Sequence, residues 1–561
     1  MIVLLSLAVR AVYFVQLNEG PCVWLHRWAV SDMNFFDTWA RTIAAGDWLT
    51  GRALHPYHDW HATIAQSHFG TSDMTAEQGR ALWDHWYGGK RFHQEPLYAY
   101  FIAAIYWLIG PDPRCVFVVQ TILGILNNVL IYTLARRWFG DVAGWIAGLA
   151  AVFCGPLLFY ELVLLRPTMT VFFALVSALL VDRASRSSHW AWWLLTGSTL
   201  GLALLLRATF VLFAGGVVGV LIVGHARRPA ALCRCLLPLL GGVALGIAPA
   251  VARNVAVGVS PFAFNSVGAV TFVMANTVDY PPMAGGFVSW EHTPRIMADS
   301  DGHFLPTVWT TLATHPNVWS YVRLLGGKLA AALHWYERPN NVNFYYFRWH
   351  APVLRWAAVS FTLVAPLGLA GALLALRRLR TTWPLHLMAL TLLLALLILY
   401  VISRFRAPLL AVLLPFAGFA VVELVRWVRL RRFLPAAGTI VAVALLALWI
   451  ARPTPDGQTP IRPVDYLVPE DIYYLPAEQA AREAGDWPRT ARTLEQALHF
   501  APPIVHELGP GRPAGDETEA QLASWAAGLH RRWAEALRHT GQPAEADVQI
   551  RRAVQLEQAG G

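Results

Sequence analysis

An all-α polytopic membrane protein, followed by a small soluble helical repeat domain, is the fold the sequence predicts. Three observations point to it. The 561 residues are 56% hydrophobic and only 14% charged, against about 25% charged in an ordinary soluble domain. Mean hydropathy is +0.43, more apolar surface than a soluble chain of this length can hide. The 25 Trp and 17 Tyr suit the membrane interface, where both residues collect. The same figures exclude disorder, a collagen-like repeat and a disulfide scaffold.

A span needs about 20 mainly apolar residues. That ruler gives eleven candidates: 1–17, 114–135, 141–160, 166–182, 190–206, 208–224, 233–251, 352–376, 384–402, 408–425 and 433–450. The opening MIVLLSLAVRAVYFVQL is read as a first span rather than a signal peptide, because no small-residue cleavage site follows. Basic groups follow alternate spans: Arg136-Arg137, Arg183 to Arg186, Arg227-Arg228, Arg377 to Arg380 and Arg426 to Arg432. The positive-inside rule puts all five in the cytoplasm. The net charge of +9 is thus a topology signal and not a nucleic-acid surface. The five cysteines form no metal-type CxxC pair.

Two long segments, about 18–113 and 252–351, then fall outside the cytoplasm. Loops of that length in a compact protein are usually functional. Within the first, PLYAYFIAAIYWLIG is apolar but short, and reads as an interfacial helix. The organisation expected is a transmembrane domain over 1–451, a Pro-rich linker over 452–475 and a soluble tail over 476–561. The tail repeats itself: Gly485 to Ala497 and Gly541 to Ala553 share one spacing. With Pro502 after the first copy, this resembles the tetratricopeptide repeat, a surface for a protein partner; a plain helical hairpin is the simpler alternative.

The candidate chemistry starts at SDMNFFDTWARTIAAGDWLTG, where Asp32 follows the first span and Asp37 lies one and a half helical turns on. Carboxylates at a membrane surface invite a functional reading, although an Asp opening a helix is often an N-cap. After them come QEPLYAY, a span ending LARRWFG, another ending near Tyr160-Glu161, then MANT at 274–277 and SRFRAPLL at 403–410. This order resembles the GT-C superfamily of membrane glycosyltransferases, specifically bacterial relatives of protein O-mannosyltransferases and lipid A aminoarabinose transferases. The resemblance covers about residues 1–260 and leaves the tail aside.

The resemblance implies a polyprenyl-phosphate-linked sugar as donor, no metal or other cofactor, and a protein or glycolipid hydroxyl as acceptor. It makes Asp32 the catalytic carboxylate, with Asp37, Glu95 and Glu161 as further candidates. Relatives read E-K-P where this chain reads Gln94-Glu95-Pro96, so Glu95 replaces a lysine suited to phosphate. Some relatives place an acid a few residues beyond Glu161, where this chain has Arg166-Pro167. The phosphate therefore needs another cation. The candidates are Arg207, Arg253, Arg404, Arg406 and Lys328, arginine being favoured because its fork donates two hydrogen bonds. His93, Gln94 and Glu337 beside Trp335 and Tyr336 complete the substrate-binding set. The loop histidines His55, His58, His61, His68, His85 and His93 could offer metal ligands, but Pro56 disfavours one long helix and polar loop histidines are the commoner case. The location implied is a bacterial inner membrane, multi-pass, with the tail periplasmic or extracellular. The rivals are an O-antigen ligase or oligosaccharyltransferase-like enzyme, which would rely on Arg and His, and a non-catalytic scaffold or transporter, which would show internal symmetry.

Overall fold

The computed structural model describes all residues except 19, 52–56, 70–74, 87, 284–288, 290, 455–461 and 463. It is 77% helical, and no strand occurs among the described residues. The helices used below are α1 (Ile2–Asn18), α2 (Asp32–Ala44), α3 (Leu97–Ile109), α4 (Pro113–Phe139), α5 (Asp141–Val152), α6 (Pro167–Ser185), α7 (Trp190–Leu204), α8 (Phe210–His225), α9 (Pro229–Ala256) and α10 (Gly268–Asn276). They continue as α11 (Phe304–Leu312), α12 (Val318–Ala332), α13 (Phe361–Ala375), α14 (Leu379–Ile398), α15 (Ser403–Arg429), α16 (Phe433–Ile450), α17 (Leu475–Glu483), α18 (Trp487–His499), α19 (Glu517–His539) and α20 (Pro543–Gly560).

Each of the eleven apolar stretches falls on a helix, yet among the described residues only six helical runs are both long and apolar enough to cross a membrane. Counting α1 with the 3-10 turn Pro21–Arg27 makes seven. The protein is thus a multi-pass membrane protein, and the count of eleven is not reproduced by length and composition. One reason is tertiary. The stretch 141–160 was expected as one span, but α5 stops at Val152. Pro156 cannot continue a helix, and the freed backbone pairs elsewhere: Val359 N–H donates to Phe153 O at 3.0 Å and Gly155 N–H to Val359 O at 3.2 Å. The same exchange delays α13, expected from 352, until Phe361.

The five basic groups all lie at helix ends. At one such end Asp182 is buried and gathers Arg137 at 2.5 Å, Arg186 at 2.8 Å and the Trp138 indole at 3.2 Å. α7 and α9 pack through glycines four apart, Gly197 and Gly201 against Gly242 and Gly246. A Cβ at any of the four would overlap the facing helix, the close approach that small residues permit in membranes.

The chain divides into two compact units. The first holds Met1–Val12, Phe35–Asn341 and Val353–Pro453; the second holds Tyr13–Asn34, Val342–Pro352 and Thr454–Gly561. In the second unit the sequence repeat has a structural counterpart. Gly485 and Gly541, with φ of 68° and 77°, turn α17 into α18 and α19 into α20. Each following helix opens on a proline in its first turn, the position where its missing N–H costs nothing. Leu494, Leu498, Ala526 and Leu556 belong to the shared core of these helices. Of the expected 452–475 linker, 455–461 and 463 lie outside the described residues, and the stretch after them is helical, at Val464–Pro469 and Glu470–Tyr474.

Candidate functional site

Most of the candidates belong to the first unit. Glu95, in the turn before α3, is a buried hub. Its Oε2 accepts from Arg166 at 2.5 Å, and its Oε1 accepts from the Ala208 N–H at 2.8 Å and from Asn265 Nδ2 at 2.9 Å. Arg166 also donates to Gln94 Oε1 at 2.7 Å and to Leu206 O at 3.1 Å. Burial pushes the Glu95 carboxyl up, but Arg166 and the Ala208 and Asn265 donors outweigh it and hold the group below its ordinary value. Glu95 therefore binds the turn at 205–208 to the first outer segment as a carboxylate.

That turn carries Arg207. Its guanidinium carbon stands 3.9 Å from the centroid of Phe405, and Tyr400 stacks on the same ring at 5.3 Å. The side chain is buried, yet among the described residues it has no hydrogen-bond acceptor and no carboxylate partner, and its Nε is enclosed without one. Burial, then repulsion from Arg166 and Arg404, lowers its pKa to about 9. Arg404 approaches Phe405 as well, at 5.3 Å. Arg207 thus feels two neighbouring guanidiniums, of Arg166 and Arg404, and the carboxylate of Glu95.

The other cations are committed to the fold. Arg406 pairs with Glu337 at 2.7 Å and donates to the carbonyls of His334 and Tyr336, so Glu337 stands as its counter-ion. Arg253 clamps the first outer segment by its carbonyls, at Leu49 and Thr50 (2.7 Å each) and Lys90 (2.9 Å). Lys328 is wholly buried; its ammonium donates to Asn276 Oδ1 at 2.8 Å and Leu397 O at 3.0 Å, and burial lowers its pKa to about 7.

Among the carboxylates, Asp37 accepts from Arg41 at 2.8 Å and from the Tyr106 hydroxyl at 2.5 Å, joining α2 to α3. Glu161 pairs with Arg10 at 2.6 Å, both side chains buried. It presses so closely on α4 that a Cβ at Gly124 would overlap its carboxylate. Gly124→Ala should cost roughly 1–3 kcal/mol through overpacking, read as a lower melting temperature in detergent. The shorter acid of Glu161→Asp should recover part of the loss. His93 packs edge-on against Phe35 at 5.4 Å. Among the described residues no group of three or more His, Cys, Asp or Glu is arranged to hold a metal; His55 lies outside them.

Asp32 is in the second unit. It stands half-buried in the first turn of α2. The capping role belongs to its neighbour: Ser31 Oγ accepts from the Asn34 N–H at 3.1 Å and donates to Trp28 O at 2.7 Å. The N-cap explanation for an acid at this position therefore falls to Ser31.

Arg166, Arg10 and Phe405 were missed as site residues. For Arg166 a signal existed. Glu95 and Arg166 were two separate departures from the E-K-P pattern and its later acid. The structure joins them in one ion pair, so the two changes are a single exchange of sign. Glu95→Lys should therefore set two cations together and strand the Ala208 and Asn265 donors, costing about 3–5 kcal/mol as for other broken buried pairs. The exchanged double variant Glu95→Arg/Arg166→Glu should melt closer to the parent than either single change.

With this geometry described, the chain can be set beside known proteins. The fold is that of a polytopic membrane protein, with a buried arginine, Arg207, at a break between two of its helices. Residues 93–252, which include Glu95, Glu161, Arg166 and Arg207, match the family model of dolichyl-phosphate-mannose-protein mannosyltransferases. The match takes in 160 of the 561 residues and is a similarity to that family over this segment. No curated protein matches it. Similar solved structures include the oligosaccharyltransferase AglB from Archaeoglobus fulgidus, in complex with an inhibitory peptide and a dolichol-phosphate, at 14% identity and a TM-score of 0.36. That alignment covers 76% of this chain and 57% of the archaeal one. ArnT from Cupriavidus metallidurans, bound to undecaprenyl phosphate, aligns at 14% identity and a TM-score of 0.35 over 94% of this chain and 77% of its own. This chain thus spans little more than half the length of the archaeal enzyme, and residue roles here rest on its own geometry.

Proposed function

We propose that the protein transfers a sugar from a polyprenyl-phosphate donor to a hydroxyl of a protein, lipid or glycan on the non-cytoplasmic face of a bacterial inner membrane. The observation that carries this reading is Arg207: a buried guanidinium on an aromatic platform, beside two other arginines, with no hydrogen-bonded carboxylate among the described residues. A charge left unpaired near hydrocarbon costs a few kcal/mol, and a lipid phosphate would neutralise it at the depth where its chain stays in lipid. In the reaction the acceptor oxygen attacks the anomeric carbon, and the bond from that carbon to the phosphate oxygen breaks. The departing polyprenyl phosphate keeps the electron pair, its negative charge facing Arg207, and the acceptor proton passes to a carboxylate base, for which the sequence offers Asp32. Arg404 reinforces that charge, while Arg166 acts through Glu95. Arg253, Arg406 and Lys328 shape the outer segments instead of meeting the donor. The tail hairpins offer a protein partner a helical surface.

The test is transfer by the purified full chain in lipid vesicles from a radiolabelled polyprenyl-phosphate sugar, with glycans of membranes and secreted proteins compared in cells with and without the gene. Loss of one labelled glycan class with the gene supports the reading. Unchanged glycans together with no donor binding by the purified chain would return the choice to a scaffold.

A further inference from the structure

Helices α11 and α12, in the second outer segment, each have one packed side and one apolar side left exposed among the described residues. On the packed side Thr307 and Thr311 are buried, Thr307 donating to Ser300 Oγ at 2.8 Å, and Leu324, Lys328 and Ala331 are buried in α12. On the other side Leu305 and Trp309, one turn apart, are each 77% exposed, and Val318 and Trp319 are each 76% exposed. Val322 and Leu329 continue the stripe of α12. Four large apolar side chains three-quarters exposed within fifteen residues make a patch that marks a partner.

The helices' attachment fixes what that partner is. Lys328 donates to Leu397 O at 3.0 Å and its bonded neighbour Asn276 donates to Ile398 O at 2.9 Å, both in the last turn of the span α14. Arg452, just beyond the span α16, donates to Ala330 O at 2.7 Å, and the Trp335 indole donates back to Arg452 O at 2.9 Å. The last turn of α12 is thus tied to the ends of two membrane spans, at the boundary between hydrocarbon and water. A helix held at that level with Trp, Val and Leu on its open side, and the exposed cation Arg323 beside them, has the composition of a monotopic interfacial helix.

We propose that α11 and α12 form an interfacial hairpin whose apolar side lies among lipid headgroups and upper acyl chains, in the leaflet where α14 and α16 end. The test uses the full chain in phosphatidylethanolamine–phosphatidylglycerol vesicles, with Cys115, Cys233 and Cys235 replaced by alanine and a nitroxide label attached singly at Trp309→Cys, Trp319→Cys or Glu545→Cys. Labels at 309 and 319 should relax faster with oxygen than with a water-soluble nickel chelate. The label at 545, on the exposed side of α20, should show the reverse. In unlabelled protein, brominated lipids should quench the parent more than Trp309→Phe/Trp319→Phe. Chelate access at 309 and 319 equal to that at 545 would overturn the proposal. So would labels shielded from both reagents and spin-coupled between copies, which would make the patch an interface between two chains.

Discussion

Arg207→Leu should raise the melting temperature of the ligand-free protein and move the further rise that a polyprenyl monophosphate gives the parent to much higher ligand concentrations. The two halves have separate causes. Without ligand, a buried arginine with no acceptor costs about 2.5–3.5 kcal/mol near the membrane centre and less towards its surface. Its stacking on Phe405 at 3.9 Å returns roughly 0.5–2 kcal/mol. Leucine removes the cost and still packs on the ring, so the variant gains stability. With ligand, charge-assisted hydrogen bonds contribute about 1.5–3 kcal/mol, so their loss should weaken donor binding roughly 10- to 150-fold. Arg207→Lys keeps the charge and loses the planar fork, and should fall between parent and Arg207→Leu. Thermal melting across a titration of the lipid phosphate reads both effects, because a ligand that binds only the folded state stabilises it in proportion to the logarithm of its concentration. A variant that is destabilised and still shifts with ligand as the parent does would make Arg207 a structural residue.

The contrast between Arg207 and Arg406 shows what sequence could and could not supply. Both follow apolar runs, both lie beside aromatic residues, and hydropathy alone ranks them equally. Only the tertiary fold gives Arg406 the Glu337 carboxylate and two carbonyls while leaving Arg207, among the described residues, with a ring and no acceptor. The helices were legible because hydrophobic runs and basic ends are local properties. Their breaks were less so: α5 ends where backbone from 358–359 arrives to pair with 153–155, a partner about 200 positions away. The Arg10–Glu161 pair and the glycine that admits it, Gly124, join three separate helical segments. No spacing rule connects residues 10, 124 and 161. The tail is the opposite case. Its two matched stretches are short-range patterns of Gly, Pro and apolar residues, and both matched segments became the second helix of a hairpin.

Asp32→Asn should leave expression, membrane insertion and melting close to the parent and cut sugar transfer by about 10²- to 10⁴-fold, the usual contribution of a general base. Asparagine matches aspartate in shape and keeps one acceptor oxygen, and Ser31, not Asp32, caps α2. Helix stability therefore has little reason to change, whereas the ability to take the acceptor proton is lost outright. Donor binding should survive, because Arg207, the proposed phosphate ligand, is untouched. The variant should bind a polyprenyl-phosphate sugar within a few-fold of the parent while kcat falls. That split separates the base from the phosphate ligand, since Arg207→Leu should lose binding first. Asp37 provides the control. Its carboxylate is held by Arg41 and Tyr106, so Asp37→Asn should lower the melting temperature by loosening α2 from α3. Transfer by the molecules that remain folded should stay near the parent rate. If Asp32→Asn retains near-full kcat while Asp37→Asn or Glu161→Gln loses it at unchanged melting temperature, the base is elsewhere. The half-buried acid at the start of α2 would then be a binding residue for the acceptor.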